Sequence, residues 1–277
     1  MKLLPPKKSI LYTEINVSNN QNGYDITKRD QKHVVECSDG SLTLYSKEFD
    51  EPYHSTKDGA LNESLQKHVI PAFKYQKDIS HLTILDICYG LGYNTLATLY
   101  YIQKHNLPTK VHIISPEFDK SLVESLKEFD YPDEFGSFKH IVESISKQFY
   151  YEDDSIKIEV LIGDARDSLP KLQTKFDIIY QDAFSPKVNP LLWTKEYFAT
   201  IKSLSKPNVI LTTYSTASST RMGLYENGFE LHYYQTPQTR RSLIASLSQI
   251  DELEWIDMEL KKARNPDARS LKDSDIV

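Results

Sequence analysis

The stretch "FELHYYQTPQTRRSLIASL", residues 229–247, decides the fold. It holds two strand-like runs, 229–234 and 240–247, separated by a short turn with Pro237. Strands joined this closely must pair antiparallel, because a parallel pair needs a crossover of a dozen or more residues. The chain ahead of them follows a different rule. Apolar runs at 82–87 (LTILDI), 110–115 (KVHIIS), 156–162, 176–181 and 208–213 alternate with helix-like stretches at 94–105, 119–129, 140–150, 190–204 and 217–226. That alternation predicts βαβ units and a buried, mostly parallel α/β sheet. Adding the antiparallel pair at its edge gives seven strands and separates the sheet from an ordinary dinucleotide fold.

Before the sheet, residues 30–50 read as two short strands joined around Asp39-Gly40, a strong hairpin signal. Residues 53–76 read as a helix with Leu61, Leu65, His68 and Val69 on one face. The expected organisation is an extension over 1–76, a core over 77–250 and a charged tail over 251–277, with one helix and a loose end. Residues 130–155 read as a polar insertion, acidic near its end.

Bulk properties narrow the function. Of 277 residues, 39% are apolar and 26% charged, as in ordinary globular chains. No apolar run approaches the ~20 residues that cross a bilayer. The start "MKLLPPKKSILYT" is broken by two prolines and lacks a signal-peptide core. Cys37 and Cys88 make no disulfide framework, so a reducing cytoplasm is expected. No His/Cys/Asp cluster has ligand spacing, so no metal is expected. The net charge of −6 argues against indiscriminate coating of nucleic acid but leaves room for local basic patches. Candidates are Lys7-Lys8, Arg240-Arg241 and the group Lys261, Lys262, Arg264 and Arg269.

The first core strand leads into "LDICYGLGYNTLATL". Gly90 and Gly92 stand where the chain turns from strand to helix, and Asn94 is placed to cap that helix. A dinucleotide fingerprint would need a small residue at 95, where this chain has Thr95. The loop resembles instead the methyltransferase pattern acid-x-Gly-x-Gly-x-Gly, with Asp86 as the acid and Cys88 replacing the first glycine. A plain strand–helix turn would explain the glycines alone. Two more acids add weight. Glu117, after the second core strand, can accept both ribose hydroxyls of a nucleoside, and Asp164, after the third, can accept an adenine amino group. Asp164 also suits a helix cap. Ala165 beside it, and Glu63 ahead of the core, complete the candidate set for S-adenosylmethionine.

After the fourth strand comes "YQDAFSPKVNPLLW". An amine that attacks a sulfonium methyl gains positive charge, and a carboxylate at Asp182 would aim its lone pair and stabilise the ammonium. Phe184 could lie against a base or a cation, and it would equally suit the core. Pro186 and Pro190 stiffen the loop. A turn cap would explain Asp182 alone; the acid–aromatic–proline setting favours chemistry.

These residues resemble the methyltransferase domain of the MnmC family, which completes 5-methylaminomethyl-2-thiouridine at the tRNA wobble position. The resemblance runs from "FDEPYHSTKDGALNES" through "CYGLGYN", "IISPEFDK" and "LIGDARDSL" to "YQDAFSPKVNPLLWTKEYF", "TYSTASSTRMGLYENGF" and "TRRSLIA", about 200 of the 277 residues. It implies a class I S-adenosylmethionine-dependent fold, a tRNA anticodon region as partner, and Pro186, Asn189, Trp193, Arg240 and Arg241 as substrate-binding residues. Cys88, Gln181 and Ser242 depart from the family pattern. Full MnmC proteins continue into a FAD-dependent oxidase, whereas this sequence ends at 277; the implication is a stand-alone methyltransferase that needs no flavin. Two alternatives remain at this level. The segment from "FDEPYHSTKDG" onward also resembles polyamine aminopropyltransferases, whose glycine loop differs from "CYGLGYN". A non-catalytic tRNA-binding module would be expected to lose cofactor residues that are all present here.

Overall fold

The computed structural model describes residues 31–276. The Lys7-Lys8 pair and the rest of residues 1–30 lie outside the described residues.

β1 (Lys32–Glu36), β2 (Leu42–Ser46) and β3 (Glu51–Pro52) form a small antiparallel sheet. Its hairpin turns through Gly40 at φ 81°, the left-handed region that glycine enters freely. The expected helix over 53–76 begins later. Residues 53–59 form a loop ending in Gly59 at φ 91°, held by Glu63 Oε2, which accepts from Ser55 N at 2.6 Å. The helix then runs as α1 (Ala60–Glu63), a π-helical stretch Ser64–Val69, and α2 (Ile70–Tyr75).

The main sheet holds nine strands among the described residues: β4 (His81–Ile87), β5 (Lys110–Glu117), β6 (Tyr150–Glu152), β7 (Ile156–Ile162), β8 (Phe176–Gln181), β9 (Ser205–Thr213), β10 (Glu230–Tyr234), β11 (Ser242–Ser246) and β12 (Glu254–Trp255). Their order is β12-β10-β11-β9-β8-β4-β5-β7-β6. The five central strands, from β9 to β7, pair parallel, and β11 and β10 add the expected antiparallel pair. This is the class I S-adenosylmethionine-dependent methyltransferase sheet. The expectation of seven strands is corrected by β6 and β12, edge strands of three and two residues that are too short to leave an apolar run.

Helices α3 (Tyr93–Lys104), α4 (Lys120–Ser125), α5 (Lys139–Gln148), α6 (Ala165–Ser168), α7 (Lys195–Leu204), α8 (Ser218–Glu226) and α9 (Met258–Arg264) flank the sheet. Consecutive strand residues serve opposite faces. Ile84 and Ile113 join one core with Leu96, Ile141 and Ile145, while Leu85 and Ile114 join another with Phe198, Ile201 and Leu224. Burial on both faces is why the central strands read as continuous apolar runs.

Two expectations need correction. Residues 130–155 are structural: Phe135, Phe138, Ile141, Val142 and Ile145 are buried, and α5 delivers β6 to the sheet edge. The end of the tail is strapped down. Leu271 O accepts from Lys195 N at 2.8 Å, Ser270 is buried, and Asp273 pairs with the Arg166 guanidinium.

From β4 the chain winds outward through β5 and β7, then returns to β8 on the other side. That reversal between β4 and β8 opens a crevice at the carboxyl ends of adjacent strands.

Candidate active site

The crevice is a cavity of about 690 Å³, walled by the β4–α3 loop, the ends of β5 and β7, the loop after β8, and residues 48–55 of the extension. The β4–α3 loop is built on three left-handed residues: Cys88 at φ 65°, Gly90 at 54° and Gly92 at 72°. A Cβ at Gly90 would come within 3.3 Å of the Tyr53 ring, and one at Gly92 within 2.8 Å of the Tyr89 hydroxyl. Cys88 holds the same conformation without glycine's freedom, a cost of about 1 kcal/mol. Burial pushes its thiol well up, so it stays protonated.

Asn94 does not cap α3; Gly92 occupies the cap position. Its amide Nδ2 instead donates to Asp182 Oδ2 at 2.8 Å and leans towards Asp86 Oδ1 at 3.4 Å. Asp86 is corrected as well. It is 1% exposed, accepts from Thr95 Oγ1 at 2.9 Å, and does not line the cavity, so it braces the loop from beneath. Burial, with the nearby Asp182 charge adding, pushes its carboxyl up to about 7. The folded protein therefore holds this proton more tightly than the unfolded chain. The resulting stability is complete below the ordinary value of 3.8 and is lost as pH rises to about 7. Relative to wild type, Asp86→Asn should gain roughly 2–4 kcal/mol across that window and no more above it. Denaturant midpoints from pH about 4 to 9 check this; a pH-independent difference would contradict it.

Glu117 and Asp164 stand where expected, at the ends of β5 and β7, and both line the cavity. Glu117 Oε2 accepts from Gly90 N at 2.8 Å and Oε1 from Asp119 N at 2.7 Å. Burial raises its carboxyl above the usual range, although these two N–H groups oppose the shift. Asp164 is also a helix cap: it accepts from Arg166 N at 2.8 Å while it faces the cavity beside Ala165. Glu63 reaches the wall, but its oxygens are engaged by Lys67 Nζ at 2.7 Å and by Ser55 N.

Opposite the glycine loop, Asp182 follows β8. Burial favours its protonation, but the His68 and His54 rings and the Asn94 amide outweigh burial and hold it below the usual carboxylate range. Phe184 lines the cavity, stacked on Phe49 at 4.4 Å with Tyr53 edge-on at 4.9 Å. The loop is held from several sides. Glu51 accepts from Ser185 N and Oγ, Tyr214 OH donates to Ala183 O at 2.8 Å, and Trp193 Nε1 donates to Phe184 O at 2.8 Å. Trp193 is fully buried and shapes the loop from within, whereas Pro186 is half-buried and lies off the cavity wall. Asn189 does line the cavity. The unusual Gln181 is fully buried with its amide satisfied: Nε2 donates to Leu192 O at 3.0 Å, and Oε1 accepts from Tyr197 OH at 2.9 Å.

Arg240 and Arg241 stand on the wall of the cavity. Arg241 lies over the Tyr233 ring at 4.5 Å, and Lys261 of α9 is 6.0 Å from the same ring. Two basic candidates far apart in sequence thus share one face.

Sequence reasoning missed the contribution of the extension. Tyr53, His54 and Lys67 line the cavity, and His68 reaches Asp182 from behind. Lys67 is buried yet charged: burial works against its charge, but the Glu63 and Asp58 carboxylates outweigh burial. The available signal was the density of polar and aromatic residues in "YHSTKDG", unusual for a segment read as a packing helix.

A family model described as S-adenosyl-L-methionine-dependent methyltransferase matches residues 136–249. The solved structure of MnmC2 from Aquifex aeolicus superposes with a TM-score of 0.78 at 30% identity, covering 91% of this chain and 82% of that one. An uncharacterised protein of Methanocaldococcus jannaschii is 29% identical over 255 residues, 87% of this chain and 68% of its own. The tRNA 5-methylaminomethyl-2-thiouridine biosynthesis bifunctional protein MnmC of Leptospira interrogans is 28% identical over 215 residues; the match takes in 69% of this chain but only 31% of that protein's length. The chain belongs to the MnmC-type family of S-adenosylmethionine-dependent methyltransferases.

Proposed function

We propose that the protein methylates the aminomethyl group of 5-aminomethyl-2-thiouridine at the wobble position of tRNA, giving 5-methylaminomethyl-2-thiouridine. The observation that carries this reading is the Asp182 carboxylate, largely buried on the cavity wall opposite the glycine loop and held by Asn94 Nδ2 at 2.8 Å, with Phe184 beside it. The cavity fits S-adenosylmethionine. It leaves side-chain-free backbone at Gly90 and Gly163, with Glu117, Asp164 and Ala165 on its wall; Glu117 would accept from the ribose hydroxyls, and Asp164 and Ala165 would hold the adenine. When bound, that group supplies an electrophilic methyl carbon on a sulfonium.

The remaining work falls to the chain's own side chains. Asp182 accepts an N–H from the neutral amine, aims its lone pair, and stabilises the ammonium that forms. The product forms as an ammonium ion-paired with Asp182, and its extra proton is lost to solvent, because a carboxyl held below the usual range is too weak a base to take it. Phe184, backed by Phe49, offers a ring face to the base or to the developing cation.

A net-acidic protein that binds a polyanion needs a local basic face. The Arg240, Arg241 and Lys261 group supports entry of the anticodon region from that side. Arg240→Ala/Arg241→Ala should weaken tRNA binding and flatten its salt dependence by about 1–2 in log–log slope, while leaving cofactor affinity intact. An unaltered slope would put the RNA surface elsewhere.

The function itself is tested by incubating the protein with labelled methyl donor and tRNA carrying aminomethyl-uridine, beside tRNA with unmodified uridine and beside putrescine. Label should enter the first substrate alone. Transfer to either control at a comparable rate, or to none, would contradict the assignment.

A further inference from the structure

We propose that His68 is a positioning residue for Asp182, holding the carboxylate from behind so that its free lone pairs face the attacking amine; this rests on the role given to Asp182 above. His68 is fully buried, so it meets neither solvent nor ligand. Its Nδ1 lies 3.0 Å from Thr212 Oγ1, and its Nε2 lies 3.3 Å from Asp182 Oδ1 with no other polar partner among the described residues. With the proton on Nε2, the ring donates towards the carboxylate while Thr212, itself fully buried, donates its hydroxyl hydrogen to Nδ1. The opposite tautomer would set an Nε2 lone pair against a carboxylate oxygen, which is repulsive. Asn94 Nδ2 fixes the other oxygen, Oδ2, at 2.8 Å. The carboxylate is thus held at both oxygens by groups on two separate elements.

The local backbone supports a dedicated role. His68 sits in the π-helical stretch Ser64–Val69, a geometry that breaks the regular helical register and recurs at functional sites. In that stretch Lys67 turns to the cavity wall while His68 turns inward to Thr212 and Asp182. The Nε2–Oδ1 approach lies off the line of an ideal hydrogen bond. A substrate N–H drawing on Asp182 would tighten it, since such contacts close only in the working complex.

The test compares His68→Leu, His68→Gln, Thr212→Val and Asp182→Asn in single-turnover methyl transfer to aminomethyl-uridine tRNA, with cofactor affinity by calorimetry and thermal unfolding alongside. His68→Leu should lower the transfer rate by ~10–30-fold with cofactor affinity within about twofold, the scale for losing an outer orienting partner. His68→Gln, which restores an N–H donor of similar reach, should recover to within about threefold of wild type. Should His68→Leu fail to fold, Thr212→Val reads the same chain: it frees the ring and should cost ~3–5-fold in rate alone. A leucine variant within twofold of wild type, a glutamine variant no better than leucine, or an unaffected Thr212→Val would overturn the positioning role. If Asp182→Asn also keeps its rate, the functional reading fails with it; if Asp182→Asn falls and His68→Leu does not, only the proposal for His68 fails.

Discussion

Asp182→Asn should transfer methyl groups ~10²–10³-fold more slowly than wild type, the scale for removing one preorganised charge at a reacting centre. The amide is isosteric and still offers an oxygen, so fold and cofactor affinity stay close to wild type. What disappears is the negative charge opposite the developing ammonium. The pH profile separates this from simple disruption. The wild-type Asp182 carboxyl lies below the usual range because the histidine rings and the Asn94 amide outweigh burial, so it is already ionised in mild acid. The rate should therefore climb with pH as the substrate amine loses its proton, and level off once the amine is neutral. The variant should follow the same climb at a lower level, since the titrating group belongs to the substrate. Single-turnover transfer across about pH 6–10 measures both, and a variant within threefold of wild type throughout would leave Asp182 as a turn cap.

Glu117→Ala should weaken S-adenosylmethionine binding by ~10–100-fold by calorimetry, the consequence of about 1–3 kcal/mol for buried donors left without an acceptor. Two effects combine. The carboxylate's ligand-facing lone pairs are lost, and Gly90 N and Asp119 N lose their partner, loosening the glycine loop. Because burial raises the Glu117 carboxyl, it takes up a proton at a higher pH than an ordinary glutamate. Wild-type affinity should fall as pH drops through mild acid, whereas Glu117→Gln should show a flatter dependence. Unchanged affinity in Glu117→Ala would remove Glu117 from the cofactor site.

The legible parts of this protein are those that the chain writes locally. The strands β4, β5, β7, β8 and β9 show as apolar runs because both faces of the sheet are buried, and the β10–β11 pair shows because only antiparallel strands close over so short a turn. Glu117, Asp164 and Asp182 could be placed because each directly follows such a run. β6 and β12 could not, since two or three residues carry no periodicity. Asn94 read as a helix cap because its sequence neighbourhood says cap; its partners, Asp86 and Asp182, come from other strand ends. Trp193 read as a substrate contact only through the family resemblance, but its indole is spent on the Phe184 carbonyl. His68 read as one more residue on an apolar helix face, and nothing local separates a packing histidine from one that reaches a distant carboxylate. These misses concern contacts across the fold, which only tertiary geometry supplies.

The central claim is that an amine on a wobble uridine receives the methyl group. The most direct measurement is mass spectrometry of the nucleosides released from aminomethyl-uridine tRNA before and after incubation with the protein and S-adenosylmethionine. The account predicts that 5-aminomethyl-2-thiouridine disappears as a product heavier by one methylene appears, with the added carbon on the side-chain nitrogen. An unchanged aminomethyl nucleoside, or a methyl group found on the ring, ribose or sulfur, would contradict it.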